Sequence, residues 1–98
     1  MIIAAALKIS QPPPLDYIQI VGLRHSNCYT TLQLLNPDLS KKAREENLIT
    51  EGFIDHKNHF HTRREAYLIA RDIGQLSWQN YYDKLNRNEF VLYSEDLY

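Results

Sequence analysis

Residues Gly52–Gln75 read GFIDHKNHFHTRREAYLIARDIGQ, and two local patterns in this stretch decide the fold. Thr62 and Glu65 have the T-x-x-E spacing of a capping box, in which each side chain satisfies a free amide at a helix start. Ala66, Ile69, Ala70 and Ile73 then recur at i, i+3, i+4 and i+7, one apolar stripe of a helix. The spacing predicts a helix over Arg63–Ile73 that the chain leaves through a left-handed Gly74. Ahead of the cap, Asp55-His56-Lys57-Asn58 is a polar break between Phe53-Ile54 and His59-Phe60. A tight turn there makes a short hairpin that feeds directly into the helix.

Towards the N-terminus, Leu48–Ile54 leads into that hairpin, and Asp38–Asn47 is polar, with Leu39 and Ala43 its apolar positions. Asn36 can cap a helix opened by Pro37, so Asp38–Asn47 is a surface helix or a partly ordered loop. Ser26 or Asn27 is suited to cap a helix over Cys28–Leu35, which Asn36-Pro37 stops. Leu15–Val21 alternates, with Ile18 and Ile20 on one face, and reads as a strand ended by Gly22. Ile2–Ile9 is a continuous apolar run suited to a buried strand, and Pro12-Pro13-Pro14 form a connector that cannot donate to a sheet. These two strands form the simplest pair. Towards the C-terminus, Ser77 can cap a helix over Trp78–Asn86. A turn at Asn86-Arg87-Asn88 then precedes a closing strand at Glu89–Tyr93. The tail Ser94–Tyr98 either docks back through Leu97 and Tyr98, its adjacent acids closing over a groove or pairing with Arg24, or stays loose. The fold class is α+β in a single domain: a small antiparallel sheet with two or three short helices packed on it. Strand order does not follow from periodicity.

Composition narrows the function. Eleven basic residues stand against twelve acidic ones, for a formal charge of −1, which argues against a general nucleic-acid binder. The single cysteine, Cys28, makes no internal disulfide and suits a reducing compartment. Met1–Leu7 is apolar but too short to span a bilayer and has no preceding basic region. A cytoplasmic protein without a membrane partner is expected. Seven tyrosines offer broad faces with polar tips, for a core rim or for an interface such as a homodimer or larger assembly.

The chemistry concentrates at Arg24-His25-Ser26-Asn27. These residues lie at a helix start, where free amides and the helix dipole favour an anion. The alternative is that Arg24 pairs with a local carboxylate and His25 is structural. His56, His59 and His61 bring three imidazoles close together, which invites zinc or nickel. No Cys lies nearby, Asp55 is the obvious carboxylate, and the spacing matches no strong ligand set, so neither metal nor cofactor is assigned. Arg63 and Arg64 stand in the first turn of a helix against the dipole, and a residue set against its local preference sometimes marks function.

The combination of Arg24-His25, the GF…R-x-EA-x-x-IA…GQ pattern of Gly52–Gln75, and the ending LYSEDLY resembles a family of small, mostly phage- and prophage-encoded proteins of uncharacterised function. The likeness covers most of the chain from Gly22 on, and the ending is its most specific part. Ser26 stands where the family pattern has a second His, Asn58-His59 replaces a Gly-Arg, and Leu76–Arg87 lengthens the link before the ending. The resemblance implies that exposed polar residues line a cleft once the tail returns. Arg24, His25 and Gln75 would line one side and Ser94, Glu95 and Asp96 the other, with Ser26, Asn27 and Arg64 as further ligand-binding candidates. The implied function is a phage accessory protein, of anti-defence type, that captures a small anionic or nucleotide-like ligand. One alternative is an inhibitor of a host defence protein. Another is a small enzyme with His25 as general acid/base and Glu95 or Asp96 orienting it. No nucleophile motif supports the last, and no catalytic residue is assigned.

Overall fold

The computed structural model describes residues 1–97; Tyr98, expected in the docking tail, lies outside the described residues. Four strands form one antiparallel sheet: β1 (Ile2–Ser10), β2 (Tyr17–Gly22), β3 (Ile49–Asp55) and β4 (Phe60–Thr62), in the order β2-β1-β3-β4. The proline connector joins β1 to β2 as a pair, with Leu7 opposite Ile20 and Ile9 opposite Ile18. Four helices follow or interrupt the strands: α1 (His25–Leu35), α2 (Pro37–Glu45), α3 (Arg63–Asp72) and α4 (Trp78–Arg87). The fold is therefore α+β, as expected.

One face of the sheet carries the core. Ala5, Leu7 and Ile9 alternate onto it, and Phe53 and Ile49 join them from β3. A register shift between Ile2 and Ala4 inserts an extra residue. That bulge turns Ile2 onto the same face, against the simple alternation of the strand. Cys28 and Leu32 of α1 and Ala66, Tyr67 and Ala70 of α3 cover this face, and Ala43 of α2 packs against Ile9 and Leu32. Each large apolar side chain buried here contributes about 1.5–3 kcal/mol. On the opposite face Ala6 pairs with Gly52, and the Phe60 ring lies over that glycine. A Cβ at position 52 would overlap the His61 carbonyl oxygen and the Phe60 ring, so the close approach of β4 requires glycine. The hairpin turn reaches across this face, where Gln19 Nε2 donates to Asn58 Oδ1 at 3.3 Å.

The capping box forms as read: Thr62 Oγ1 accepts from Glu65 N at 3.3 Å, and Thr62 N donates to Glu65 Oε1 at 2.8 Å. Gly74 has φ +74°, the left-handed exit from α3. Asn36 caps α2 and Ser77 caps α4. Two readings are corrected. The helix expected at Cys28 starts at His25 with Arg24 as its N-cap, and Asn27 reaches back to accept the Arg24 N–H at 3.1 Å. Neither Ser26 nor Asn27 is therefore the cap. The closing strand at Glu89–Tyr93 does not form. Glu89 N is used to close α4 on the Lys84 carbonyl at 2.9 Å, and Leu92 N donates to the Arg63 carbonyl at 3.0 Å. The segment docks on the start of α3, where a helix, not a strand edge, receives it.

Candidate functional site

Glu51 is the odd residue of β3. Alternation places it with Ile49 and Phe53 on the helix-covered face, opposite Leu7. A carboxylate there requires partners. Tyr29 of α1 donates its hydroxyl to Glu51 Oε2 at 2.7 Å, and Arg63 Nη2 of α3 reaches Oε1 at 2.8 Å. Burial alone would push the Glu51 carboxyl up, but the bonds from Arg63 and Tyr29 outweigh it and hold it below the usual value. Burial and the bond to Glu51 push the Tyr29 hydroxyl up to about 12. His25 closes the cluster. Its ring is edge-on to Phe53 at 5.1 Å, Nε2 donates to the Gly52 carbonyl at 2.7 Å, and Nδ1 lies 3.4 Å from Arg63 Nη2. This arrangement is that of a neutral imidazole protonated at Nε2. Burial lowers the His25 pKa, the Gly52 bond works the other way, and the Arg63 charge adds to the lowering. Burial also pushes the Cys28 thiol up to about 11, which makes it a poor nucleophile.

Arg63 also holds the tail. Its Nη1 donates to the Leu92 carbonyl at 3.1 Å, and its guanidinium lies 5.3 Å from the centre of the Tyr93 ring. Asn88, at φ +57°, turns the chain back after α4. Lys84 then clamps the returned segment: Nζ donates to the Val91 carbonyl at 2.7 Å and pairs with Asp96 at 2.8 Å, the two side chains 6% and 9% exposed. Asp96 also accepts the Tyr93 N–H at 2.8 Å. These contacts fix a single 3-10 turn, Ser94–Asp96, with Ser94 buried and Glu95 outward. Glu95 Oε2 lies 3.9 Å from Arg24 Nη1, the side chains 69% and 42% exposed. A pair so open contributes at most about 1 kcal/mol and leaves both groups in reach of solvent. Beside it is a polar crevice of about 410 Å³, lined by Asn80, Asp83, Lys84, Arg87, Glu89, Tyr93, Glu95 and Asp96.

The structure thus brings Arg24 beside the turn that carries Ser94, Glu95 and Asp96. His25, 8% exposed, turns into the cluster around Glu51. Ser26 and Asn27 are exposed on the first turn of α1, and Arg64 is exposed on α3. Gln75 is occupied elsewhere. Its amide accepts from Ile2 N at 3.0 Å and donates to the Ile2 carbonyl, standing in for a strand beside the end of β1. Glu51, Tyr29 and Lys84 were not anticipated, and Arg63 stood out only through its place against the helix dipole. Glu51 had one signal, a carboxylate at a core parity position between Ile49 and Phe53. Lys84 had none. Trp78, Tyr81, Tyr82 and Leu85 have helical spacing, yet Trp78, Tyr82 and Leu85 are exposed and Lys84 is the buried residue of α4.

The histidines serve the hairpin. Asp55 accepts the N–H groups of Lys57 and His59 at 2.8 and 2.9 Å and lies 2.9 Å from His61 Nε2, while His56 meets the N-terminal amine at 3.2 Å. Among the described residues no group of three or more His, Cys, Asp or Glu side chains is placed to hold a metal. No helix among them is long and apolar enough to cross a membrane.

A family model described as phage T4 y16D protein matches residues 1–98. The chain belongs to this family. It is accordingly a small phage-encoded protein, as the resemblance implied. Neither the search of curated proteins nor that of solved structures returned a match. Family membership assigns no reaction.

Two predictions follow from this geometry. A lowered His25 pKa means that below the ordinary value near 6.5 the unfolded chain takes up a proton that the folded chain resists. Stability therefore falls as pH drops below about 6.5, by at most about 1.4 kcal/mol per pH unit for this group. Glu51 adds to the loss only below about 4.5. Denaturant melts between pH 7 and 5 should show the slope in the parent and a flatter profile in His25→Gln. Lys84→Met leaves Asp96 buried without its partner, at a cost of about 3 kcal/mol. Amide exchange should quicken at Leu92–Leu97 while β1 and β3 stay protected.

Proposed function

We propose that this phage protein acts by binding, and that its ligand crevice lies between α4 and the returned C-terminal turn, with Arg24 at the rim. One observation carries the reading: an anchored turn holds Glu95 within 3.9 Å of Arg24 while both remain open to solvent. Rigid support beneath exposed charges is what a binding site needs, and so weak a surface pair adds little to folding. The lining restricts the ligand. Lys84 is neutralised by Asp96, which leaves Asp83, Glu89 and Glu95 against Arg87 in the crevice and Arg24 at its edge. Such a surface repels a highly charged anion. It suits a nucleotide-like molecule of low charge, whose ribose hydroxyls and base amino groups donate to the carboxylates while one phosphate meets a guanidinium. Capture of such a molecule serves a phage by withdrawing it from a host defence. Acid–base catalysis by His25 has less support, because both ring nitrogens are already engaged.

A thermal-shift panel of nucleosides, nucleoside monophosphates and triphosphates tests this. At about a hundredfold excess over Kd, a monophosphate should raise the melting temperature by on the order of 10 °C. Triphosphates should do less, and Arg24→Ala should abolish the shift. A flat response across the panel overturns the reading.

A second reading has its own observation. Trp78 is 71% exposed and stacks on exposed Tyr82 at 5.2 Å, and such aromatic residues dominate protein interfaces. In that case the partner is a host defence protein. Capture from host extract should survive Arg24→Ala and be lost in Trp78→Ala; equal capture by both variants counts against α4.

A further inference from the structure

The sheet has one long open edge among the described residues. At the other side, β4 is three residues long and passes straight into α3. Beyond the end of β2, the backbone of Ile2 is covered by the Gln75 amide. β2 itself, Tyr17–Gly22, pairs with β1 on one side only. Every second residue of an antiparallel edge strand aims its N–H and C=O outward.

Proteins normally guard such an edge with charge, proline or a bulge. The sequence YIQIVG has no charged residue and no proline, and the β1–β2 register runs without a shift from Tyr17 to Gly22. Leu15, Tyr17, Val21 and Leu23 are all exposed along it. We propose that two copies of this chain join edge to edge through β2, antiparallel about a two-fold axis, to make one continuous sheet from the four strands of each.

The charges favour a second copy over a foreign strand. Self-pairing of an uncharged strand sets no like charges opposite each other. Asp16 stands just before β2 and Arg24 just after it, at opposite ends of the strand. Antiparallel pairing brings the Asp16 end of each strand to the Arg24 end of the other, and the two-fold axis repeats the match. The exposed apolar side chains of Leu15–Leu23 then cover one another. Arg24 also faces Glu95 at the crevice rim, and the two roles are told apart by readout, mass for this contact and a ligand-induced melting shift for the crevice.

Native mass spectrometry and light scattering on the full chain test the proposal. The parent should run at twice its 11.6 kDa. Val21→Lys installs the missing guard and should weaken the dimer at least about tenfold. Leu23→Lys is a second, independent disruption, and circular dichroism with thermal melts verifies that both variants fold. High salt should weaken the parent dimer. A parent that stays monomeric at its highest soluble concentration overturns the proposal. So does a dimer that both lysine variants leave intact, or a monomer that instead retains a foreign peptide on this edge.

Discussion

A carboxylate on the apolar face of a sheet is the constraint from which the rest of this molecule follows. Glu51 lies between the two helices that cover the core with its side chain 36% exposed, so solvent meets only part of its need there. Tyr29 and Arg63 meet it from α1 and α3. The two helices are thereby fixed relative to the sheet by direction-dependent bonds as well as by apolar contact, which is tolerant of sliding. Arg63 has the stronger claim to being indispensable. As the first residue of α3 it places a positive charge against the dipole, and Glu51 offsets that cost. Its remaining donors are then free to take the Leu92 carbonyl.

From Arg63 the dependence runs outward. Leu92 and Tyr93 are docked by it, Lys84 clamps the chain on either side of Tyr93, and Glu95 is set facing Arg24. The candidate crevice is therefore built on the same polar cluster as the fold. His25 belongs to the supporting side of this scheme, since its ring bridges Gly52 and Arg63. Arg24, one residue earlier, belongs to the exposed side. Two adjacent residues that look alike in sequence thus serve different ends, separated by which way each side chain leaves the helix start.

Local patterns were legible and distant ones were not. The Thr62–Glu65 box, Gly74, the Asn36 and Ser77 caps and the β1–β2 pair each depend on residues close in sequence, and each formed as read. The segment EFVLY misled because its residues favour strands, while strand formation needs a free edge to pair with, and that is not a local property. Nor does the helical spacing of Trp78, Tyr81, Tyr82 and Leu85 say which face of α4 is buried. Periodicity shows that a helix has two faces, but the ion pair between Lys84 and Asp96 decides which face turns inward. The approach of Arg24 to Glu95 was anticipated only as one option for the acids of the tail. No spacing rule links residues 71 positions apart.

The buried pair of Lys84 and Asp96 indicates why the turn is held by charge. An apolar pair of the same volume would anchor the segment at least as firmly, because desolvation consumes most of what an ion pair gains. What an apolar contact lacks is a preferred orientation. Lys84 must satisfy three donors, and the Val91 carbonyl and Asp96 supply acceptors in fixed directions. Asp96 in turn accepts the Tyr93 N–H, which sets the sense of the turn. Rotation of Ser94–Asp96 by one residue would bury Glu95 and expose Asp96, leaving Lys84 without its partner. The cost of that error confines Glu95 to the outer face beside Arg24. A crevice whose rim charges must face one way is better served by such a pair than by a greasier and more forgiving one.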